Sequence, residues 1–176
     1  MNDIATMPTL ETERLILRAF NEHDVDAMYL LGTIPEIIRY AGNQPLQSKA
    51  QAEEYLHKHP LRDYQVHGYG RYALVWKASN EVIGFSGIKF LDEVQENELG
   101  YRLFPEYWGK GLATEAARAV LPYAKDTLKL NRLVSLIHPD NHASKNVVRK
   151  LGFQLEKCVR VSLITDTDVE VHAGAL

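Results

Sequence analysis

The sequence contains little of what disulfide-bonded, membrane-spanning or nucleic-acid-binding proteins depend on. Cys158 is its one cysteine, so no disulfide can form within the chain and folding does not need an oxidising compartment. No window reaches the roughly 18 apolar residues that a membrane helix requires. The formal net charge is -3, whereas sequence-independent binding to nucleic acid depends on an excess of Lys and Arg. We therefore expect no partner among nucleic acids or membranes.

The overall composition of the chain is that of an ordinary globular protein. Hydrophobic residues make up 45% and charged residues 24% of the 176 residues, which suits one domain spanning residues 1–176. Asp3 and Pro8 interrupt the opening residues. We therefore expect no signal peptide, a loose leader over residues 1–10 and a cytoplasmic protein.

The spacing of apolar residues predicts the order strand, helices, three strands, helix, strand, helix and two strands. The predicted strands cover 13–20, 69–76, 82–90, 98–103, 132–138, 153–165 and 168–173, and the predicted helices cover 21–32, 48–59, 111–129 and 141–151. Short polar turns join the three central strands, which favours an antiparallel meander. The predicted fold class is α/β, with a mixed sheet flanked by helices.

Two prolines lead to expectations about helix ends. Ser48 is followed three residues later by Gln51, as in a capping box, and Pro60 should end the helix that begins there. Pro122 lies inside the predicted helix 111–129, where a proline costs about 3 kcal/mol. We expect a kink at Pro122 or an earlier end of the helix.

The segment 99–116, LGYRLFPEYWGKGLATEA, carries the strongest functional signal. A strand ends near Phe104, Gly109 and Gly111 bracket Lys110, and a helix begins at once. Glycine lets a ligand approach the backbone closely. The first N–H groups of a helix have no internal partner and carry about half a positive charge. The segment therefore predicts a site for phosphate or pyrophosphate; the alternative is a plain glycine turn that starts a helix.

Two other phosphate motifs do not fit. A P-loop ends in Gly-Lys followed by Ser or Thr. In this chain the residue after Gly111 is Leu112 rather than the lysine, so the motif is absent. A dinucleotide-binding fingerprint has a third glycine where Thr114 stands, and it follows a parallel strand–helix–strand unit rather than a meander.

A second stretch, 138–153 (HPDNHASKNVVRKLGF), repeats the arrangement of strand end, proline turn and helix start. Asn141 and Ser144 lie in the first turn of this helix, where such residues usually serve as caps. Two strands thus direct two helix N-termini towards what could be one cleft.

Taken together, these stretches resemble the GNAT acetyltransferase superfamily, and within it the Rim-type ribosomal-protein N-terminal acetyltransferases. The similarity covers nearly the whole chain. The matching segments are Thr12–Arg18, Glu98–Tyr101, Trp108–Ala116, Asn131–Leu133, Asn141 with Ser144, and Lys150–Phe153. The resemblance implies a twisted, mostly antiparallel sheet of about seven strands, with a splay between the fourth and fifth strands.

The resemblance also implies acetyl-coenzyme A as cosubstrate and no metal. The loop N–H groups would hold the pyrophosphate, and pantetheine would lie in the splay between 101–103 and 132–138. Asn141 would reach the pantetheine arm, and Ser144 would protonate the departing thiolate. The implied cofactor-binding residues are Tyr101, Arg102, Leu103, Trp108, Gly109, Lys110, Gly111, Leu112, Ala113, Thr114, Asn141 and Ser144.

The chain departs from the family pattern at two positions. Many members have Arg or Gln where Trp108 stands, a change that should not weaken pyrophosphate binding because the backbone makes most of the contacts. Many members place a tyrosine general acid where Val148 stands. Since valine cannot donate a proton, the donor must be Ser144, with or without a water.

The chemistry of acyl transfer from a thioester points to further candidates. A backbone N–H near Leu103 could hydrogen-bond the thioester oxygen as charge develops there. Glu98, on the strand that leads into the site, is our candidate general base; the alternative is a solvated carboxylate. His138, at the end of the next strand, is the second candidate; the alternative is a packing histidine.

The amine acceptor is less constrained. An α-amino group has a pKa of about 7.7–8.0 against about 10.4 for lysine, so lysine costs about 3.4 kcal/mol more to deprotonate at neutral pH. An α-amine needs only a weak base, and we favour a protein N-terminal α-amine. A small amine such as a polyamine, an amino acid or an antibiotic is the alternative acceptor. A non-catalytic acyl-coenzyme A binding module is the alternative of another class. Monomer and homodimer both remain open.

Overall fold

A mixed sheet of eight strands forms the frame of the molecule. The computed structural model describes residues 7–42, 44–162 and 164–176. The strands are β1 (Leu10–Glu11), β2 (Leu15–Ala19), β3 (Arg71–Trp76), β4 (Glu81–Leu91), β5 (Glu96–Leu103), β6 (Arg132–Ile137), β7 (Gln154–Val161) and β8 (Ile164–Ala175). Their spatial order is β1-β2-β3-β4-β5-β6-β8-β7, and β5 and β6 form the one parallel pair among them. The predicted mixed sheet and its antiparallel meander, β3 to β5, are confirmed.

The start of the chain differs from the prediction. Strand β1 was not predicted; its Leu10 pairs with Leu17 of β2. Residues 1–6 of the predicted leader lie outside the described residues. Met7 is 5% exposed, so the described end of this segment packs against the fold instead of forming a loose leader. With β1 counted, the predicted splay falls between β5 and β6.

Helices cover both faces of this sheet. They are α1 (Val25–Leu31), α2 (Pro35–Ile38), α3 (Lys49–Leu56), α4 (Arg62–His67), α5 (Leu112–Pro122) and α6 (His142–Lys150). Helix α5 buries Leu112, Ala116, Ala117 and Val120, which recur at helical spacing, against β4 and β5. Helices α5 and α6 lie on one face, and α1, α3 and α4 lie on the other. None of the helices in the described ranges is long and apolar enough to cross a membrane.

Pro60 does not end its helix, and that prediction is wrong. Residues His57–Leu61 form a π turn that leads from α3 directly into α4. Proline has no N–H to donate, and a local switch of hydrogen-bond pattern is one way for a helix to continue past it. The cap at Ser48 is confirmed, because its Oγ accepts the N–H of Gln51 at 3.2 Å. The side chain of Gln51 accepts from Gln47 rather than from Ser48.

Pro122 behaves as predicted, since the regular part of α5 ends there. A second π turn, Tyr123–Thr127, carries the chain onwards.

The helices on the opposite face are held to the sheet by polar contacts. Tyr64 of α4 donates its hydroxyl to the carbonyl of Arg71, and Lys89 Nζ of β4 lies 2.8 Å from Asp63 Oδ2. These contacts hold α4 against β3 and β4 on this face of the sheet.

Candidate active site

The sheet opens between β5 and β6. The two strands share a single registered pair, Glu98 with Val134. One residue further on, the buried Ser135 hydroxyl donates to the carbonyl of Leu99 at 2.7 Å. Beyond this link the strands separate. The edge of β5 that follows, 100–103, therefore faces an opening rather than a neighbouring strand.

Backbone groups of β5 point into this opening. Phe104 donates its N–H to Ile83 of β4 at 2.9 Å. Because successive residues of a strand alternate between its two neighbours, the N–H of Leu103 points the other way, towards the opening. The indole Nε1 of Trp108 donates to the carbonyl of Leu103 at 2.8 Å. Trp108, which is 48% exposed, is thereby fixed at the mouth of the opening.

The glycine loop precedes the uncapped N-terminus of α5. Gly109 and Gly111 have φ values of 72° and 76°, in the left-handed region that favours glycine. The first bond of the helix runs from Glu115 N to the carbonyl of Gly111 at 3.0 Å, and no side chain caps the helix start. The N–H groups of residues 112–114 are therefore available. A pyrophosphate fits this donor set, and nothing lies within 4 Å of where a Cβ on Gly109 would stand.

The loop is held from behind by Arg14, which sequence reasoning did not identify. Its guanidinium donates from Nη2 to the carbonyl of Lys110 at 2.9 Å and from Nε to Glu115 Oε2 at 2.8 Å. The hydroxyl of Thr12 and the backbone N–H of Arg14 both donate to Glu115 Oε1. Burial alone would raise the pKa of Glu115, but these hydrogen bonds outweigh it and lower the pKa. The Arg14–Glu115 ion pair thus holds the glycine loop in place.

The first turn of α6 borders the opening on one face of the sheet. Asn141 is the N-cap of α6, and its Oδ1 accepts the N–H of Ser144 at 3.2 Å. The hydroxyl of Tyr101, on β5, lies 2.8 Å from Ser144 Oγ and donates to the Ser144 carbonyl at 2.9 Å. Val148 is fully buried in the core. The structure therefore brings Tyr101, Asn141 and Ser144 together.

Glu98 lies at the base of the opening on the other face. Its carboxylate forms an ion pair with Arg71 of β3, and only 13% of its side chain is exposed. Burial raises the pKa of Glu98, although the charge of Arg71 and the backbone N–H of Leu136 oppose the shift. A raised pKa makes a carboxylate a better proton acceptor. Glu98 is thus a desolvated, fixed carboxylate rather than a solvated one.

His138 is held by a hydrogen bond and a ring contact. Its Nδ1 accepts the backbone N–H of Asp140 at 3.1 Å, and its ring lies 5.0 Å from the ring of Tyr40. This contact occupies one ring nitrogen of His138, whereas the Glu98 carboxylate is held by Arg71 beside the opening.

A groove of about 470 Å³ runs along the face on which Glu98 lies. Its walls come from the α3–α4 segment, the end of β4 and the β7–β8 hairpin, and they include Lys58, Arg62, Phe90, Asp92, Val161 and Ser162. Leu136, whose N–H points at Glu98, also lines the groove. Over the described ranges, no three His, Cys, Asp or Glu side chains gather as metal ligands would.

The predicted site residues therefore fall into three places around one opening. The residues 108–114 lie at its mouth, Tyr101 and Ser144 on one face, and Glu98 on the other. Sequence reasoning missed Arg71 as the partner of Glu98. The strand register places Lys89, not Arg71, directly opposite Glu98, so no spacing signal could have identified Arg71.

The chain matches the family model described as an acetyltransferase (GNAT) domain over residues 14–154. It is 34% identical over 158 residues to the uncharacterized N-acetyltransferase p20 of Bacillus licheniformis, which spans 88% of this chain and 86% of that protein. It is 27% identical to the ribosomal-protein-serine acetyltransferase of Escherichia coli, with 92% of this chain and 93% of that protein covered. It is 26% identical to the spermidine N(1)-acetyltransferase of the same organism, with 85% and 77% covered.

Solved structures show the same fold. An acetyltransferase from Agrobacterium tumefaciens superposes with a TM-score of 0.83 at 30% identity, covering 96% of this chain and 95% of that one. The α-N-protein acetyltransferase RimL in complex with coenzyme A superposes with a TM-score of 0.78 at 22% identity, covering 96% and 98%.

Proposed function

This chain belongs to the GNAT acetyltransferase family and is an N-acetyltransferase, and from that premise we propose that it acetylates a protein N-terminal α-amine with acetyl-coenzyme A by direct attack on the thioester. The observation that carries the proposal is the opening between β5 and β6, with the uncapped N-terminus of α5 at its mouth. This arrangement accommodates an extended chain that ends in a pyrophosphate.

The proposed cofactor contacts follow from the positions of these groups. The N–H groups of 109–114 hold the pyrophosphate, and the backbone edge of 101–103 pairs with the pantetheine arm. Arg102 contributes its backbone to that edge. The loop before α5 includes Trp108 and Lys110, and Asn141 reaches the pantetheine arm from α6. Bound acetyl-coenzyme A supplies the acyl group and a thiolate leaving group.

The chain's own residues divide the proton chemistry between the two faces. Glu98, on the acceptor face, takes a proton from the incoming ammonium through a water. The N–H of Leu103 hydrogen-bonds the carbonyl oxygen as negative charge develops on it. Ser144, on the other face and in contact with Tyr101, gives a proton to the departing thiolate and regains one, through water, from the nitrogen, which loses its second proton as the amide forms. Base and acid thus approach the opening from opposite sides of the sheet.

The choice of an α-amine is supported by its chemistry. Deprotonating an α-amine costs about 3.4 kcal/mol less than deprotonating lysine at neutral pH. A carboxylate held by Arg71 is a weak base, which suffices for an α-amine. The relative named for ribosomal-protein-serine acetylation, aligned over 92% of this chain, supports the same choice.

A polyamine is the second candidate acceptor. A relative named for spermidine acetylation aligns over 85% of the chain, and Asp92 and Glu93 line the groove. Both carboxylates could attract a cationic chain.

The test is thiol release from acetyl-coenzyme A with a panel of amines: amidated peptides with free N-termini, N-terminally blocked peptides that contain lysine, and spermidine. We expect turnover of free N-termini and little of blocked peptides, with mass spectrometry placing the acetyl group on the α-nitrogen. Turnover of spermidine alone would establish the second candidate instead.

A further inference from the structure

Among the described residues, Arg102 is the one arginine that is partly buried and paired with no carboxylate. The arginines in ion pairs are Arg14, Arg18, Arg71, Arg132 and Arg160. The exposed arginines outside such pairs are Arg39, Arg62, Arg118 and Arg149. The guanidinium of Arg102 donates from Nη1 to the carbonyl of Leu31, at the end of α1, at 3.2 Å. That contact uses one of its five N–H donors.

Arg102 lies on the acceptor face of β5, close to the reacting groups. It immediately precedes Leu103, and its guanidinium lies 5.3 Å from the ring centroid of Phe85. The guanidinium of Arg71, the partner of Glu98, lies 4.9 Å from the same centroid. Phe85, Arg71 and Tyr55 line a cavity of about 20 Å³. Of the two arginines only Arg71 lines this cavity, and what they share is the Phe85 ring, against which both guanidinium groups lie next to the candidate base.

Both arginines have unused hydrogen-bonding capacity. The Nε of Arg71 is buried without a hydrogen-bond partner among the described residues. Burial lowers the pKa of Arg102 and the positive charge of Arg71 adds to this shift, whereas Tyr55 and the Glu98 carboxylate oppose it. A buried charge is unfavourable unless it is paired. The carbonyl end of α1 offsets the charge of Arg102 only in part, since a helix terminus carries about half a unit. An anion at this place would satisfy donors on both side chains.

We propose that Arg102, together with Arg71, binds a carboxylate of the acceptor, so that the amine acetylated by this enzyme belongs to an acidic molecule. The inference rests on the proposed function and narrows its substrate class. The carboxylate is an acidic side chain next to the N-terminal residue of a protein, or the α-carboxylate of a free amino acid. The same two cations repel a polyamine, which has no anionic group to offer them.

The experiment measures kcat/KM by thiol release for acceptors that differ only in charge. One arm uses amidated peptides whose second residue is aspartate, asparagine or lysine. The other arm uses free amino acids beside their amides, and spermidine is the cationic comparison. We expect the aspartate peptide, or the free amino acid, to exceed its amide counterpart by about tenfold or more, as a charge-assisted hydrogen bond allows. The arm that shows the difference identifies the source of the carboxylate.

The variants Arg102→Met and Arg102→Lys assign the preference to this residue. Arg102→Met should bring the ratio of kcat/KM for the acidic acceptor to kcat/KM for the amide down to about one, whatever it does to the rate with either acceptor alone. Arg102→Lys should restore part of the preference. Arg62→Met, at the exposed rim of the groove, is the matched control and should keep it. A purely structural role would lower both acceptors alike, with a fall in Tm.

Three results would overturn the inference. In the first, the wild type acetylates acidic and amide acceptors equally, or prefers spermidine; the acetyltransferase assignment then stands and the carboxylate site does not. In the second, Arg102→Met keeps the preference. In the third, no amine is turned over and acetyl-coenzyme A leaves Tm unchanged, so the proposed function fails and this inference fails with it.

Discussion

The hydroxyl of Tyr101 and the Oγ of Ser144 lie 2.8 Å apart and join the edge of β5 to the first turn of α6. Burial raises the pKa of Tyr101 to about 12, although the hydrogen bond with Ser144 opposes the shift. Tyr101 therefore stays protonated at neutral pH. The pair holds two hydroxyl protons at the flank of the opening, where Val148 provides none.

Ser144→Ala should lower kcat without changing the affinity for acetyl-coenzyme A. General acid catalysis contributes roughly 10²-fold to 10⁴-fold, so a fall within this range is expected. Tyr101→Phe should cause a smaller fall in kcat, because it removes a neighbour of the donor rather than the donor. Steady-state thiol release gives kcat and KM, and Ser79→Ala, in an exposed turn, is the control. An unchanged kcat in Ser144→Ala would remove Ser144 as the acid.

Glu98→Gln should slow the reaction in a pH-dependent way. Because the pKa of Glu98 is raised above its ordinary value of 4.5, the wild-type carboxyl gains base activity only as the pH rises through that raised pKa. The ratio of wild-type to variant kcat/KM should therefore be near one at low pH and grow with pH. Taking the ratio with one acceptor cancels the titration of the amine. Glu96→Gln, two residues away and paired with Arg132, should give a flat ratio; a flat ratio for Glu98→Gln as well would exclude Glu98 as the base.

Gly111→Glu should abolish stabilisation by acetyl-coenzyme A. Ligand at a hundredfold excess over Kd adds about 2.7 kcal/mol to the folded state, which is a visible rise in Tm. A Cβ at Gly111 would lie 3.8 Å from Arg14 Nη2, so the new carboxylate would compete for the guanidinium that holds the loop and would add a negative charge to an anion-binding segment. Gly68→Glu is the matched control, since Gly68 has φ 75° against 76° at Gly111 and lies at the end of α4. Both variants should lose stability from backbone strain, but only Gly68→Glu should keep the ligand-induced rise. No rise in the wild type would contradict the whole cofactor assignment.

Arg14→Gln should weaken acetyl-coenzyme A binding although Arg14 lies behind the loop. Its guanidinium holds the carbonyl of Lys110 outwards. Since the C=O and N–H of one peptide unit point in opposite directions, this turns the N–H of Gly111 inwards. We expect Kd to rise roughly tenfold, the scale of one lost charge-assisted hydrogen bond. Arg18→Gln breaks a comparable pair with Asp24 away from the loop, so it should lower Tm and leave Kd unchanged. If Arg14→Gln and Arg18→Gln raised the Kd equally, the weaker binding would come from lost stability rather than from the loop.

Glu115 should make stability depend on pH in the acidic range. Its pKa is lowered in the folded state, so its contribution is complete above the ordinary value of 4.5 and is lost as the pH falls through the lowered pKa. Wild type should be more stable than Glu115→Gln in urea at pH 7, and the difference should shrink at pH values below about 4.5. Glu36→Gln, on the exposed surface of α2, should show no such trend. A difference that persists unchanged into strong acid would rule out this charge as its source.

Local patterns sufficed for most of the secondary structure. The apolar run in β3, the alternation in β5 and the helical spacing of Ala and Val in α5 are properties of neighbouring residues, which is why both strands and the start of α5 were predicted to within a few positions. The glycines before α5 required left-handed conformations for the same local reason. Pro60 was misjudged because the rule that ends helices at proline takes no account of a π turn.

By itself, then, the sequence determined the order of the elements, the glycine loop and the helix start that follows it, because each depends on residues a few positions apart. Only the tertiary structure decided which charges meet. Glu98 and Arg71 are 27 residues apart, and Arg14 and Glu115 are 101 apart. Arg102 meets the carbonyl of Leu31, at the end of α1, and forms no ion pair with a carboxylate of the described residues. Such pairings depend on strand order, register and the helices packed above them, and no local propensity encodes these.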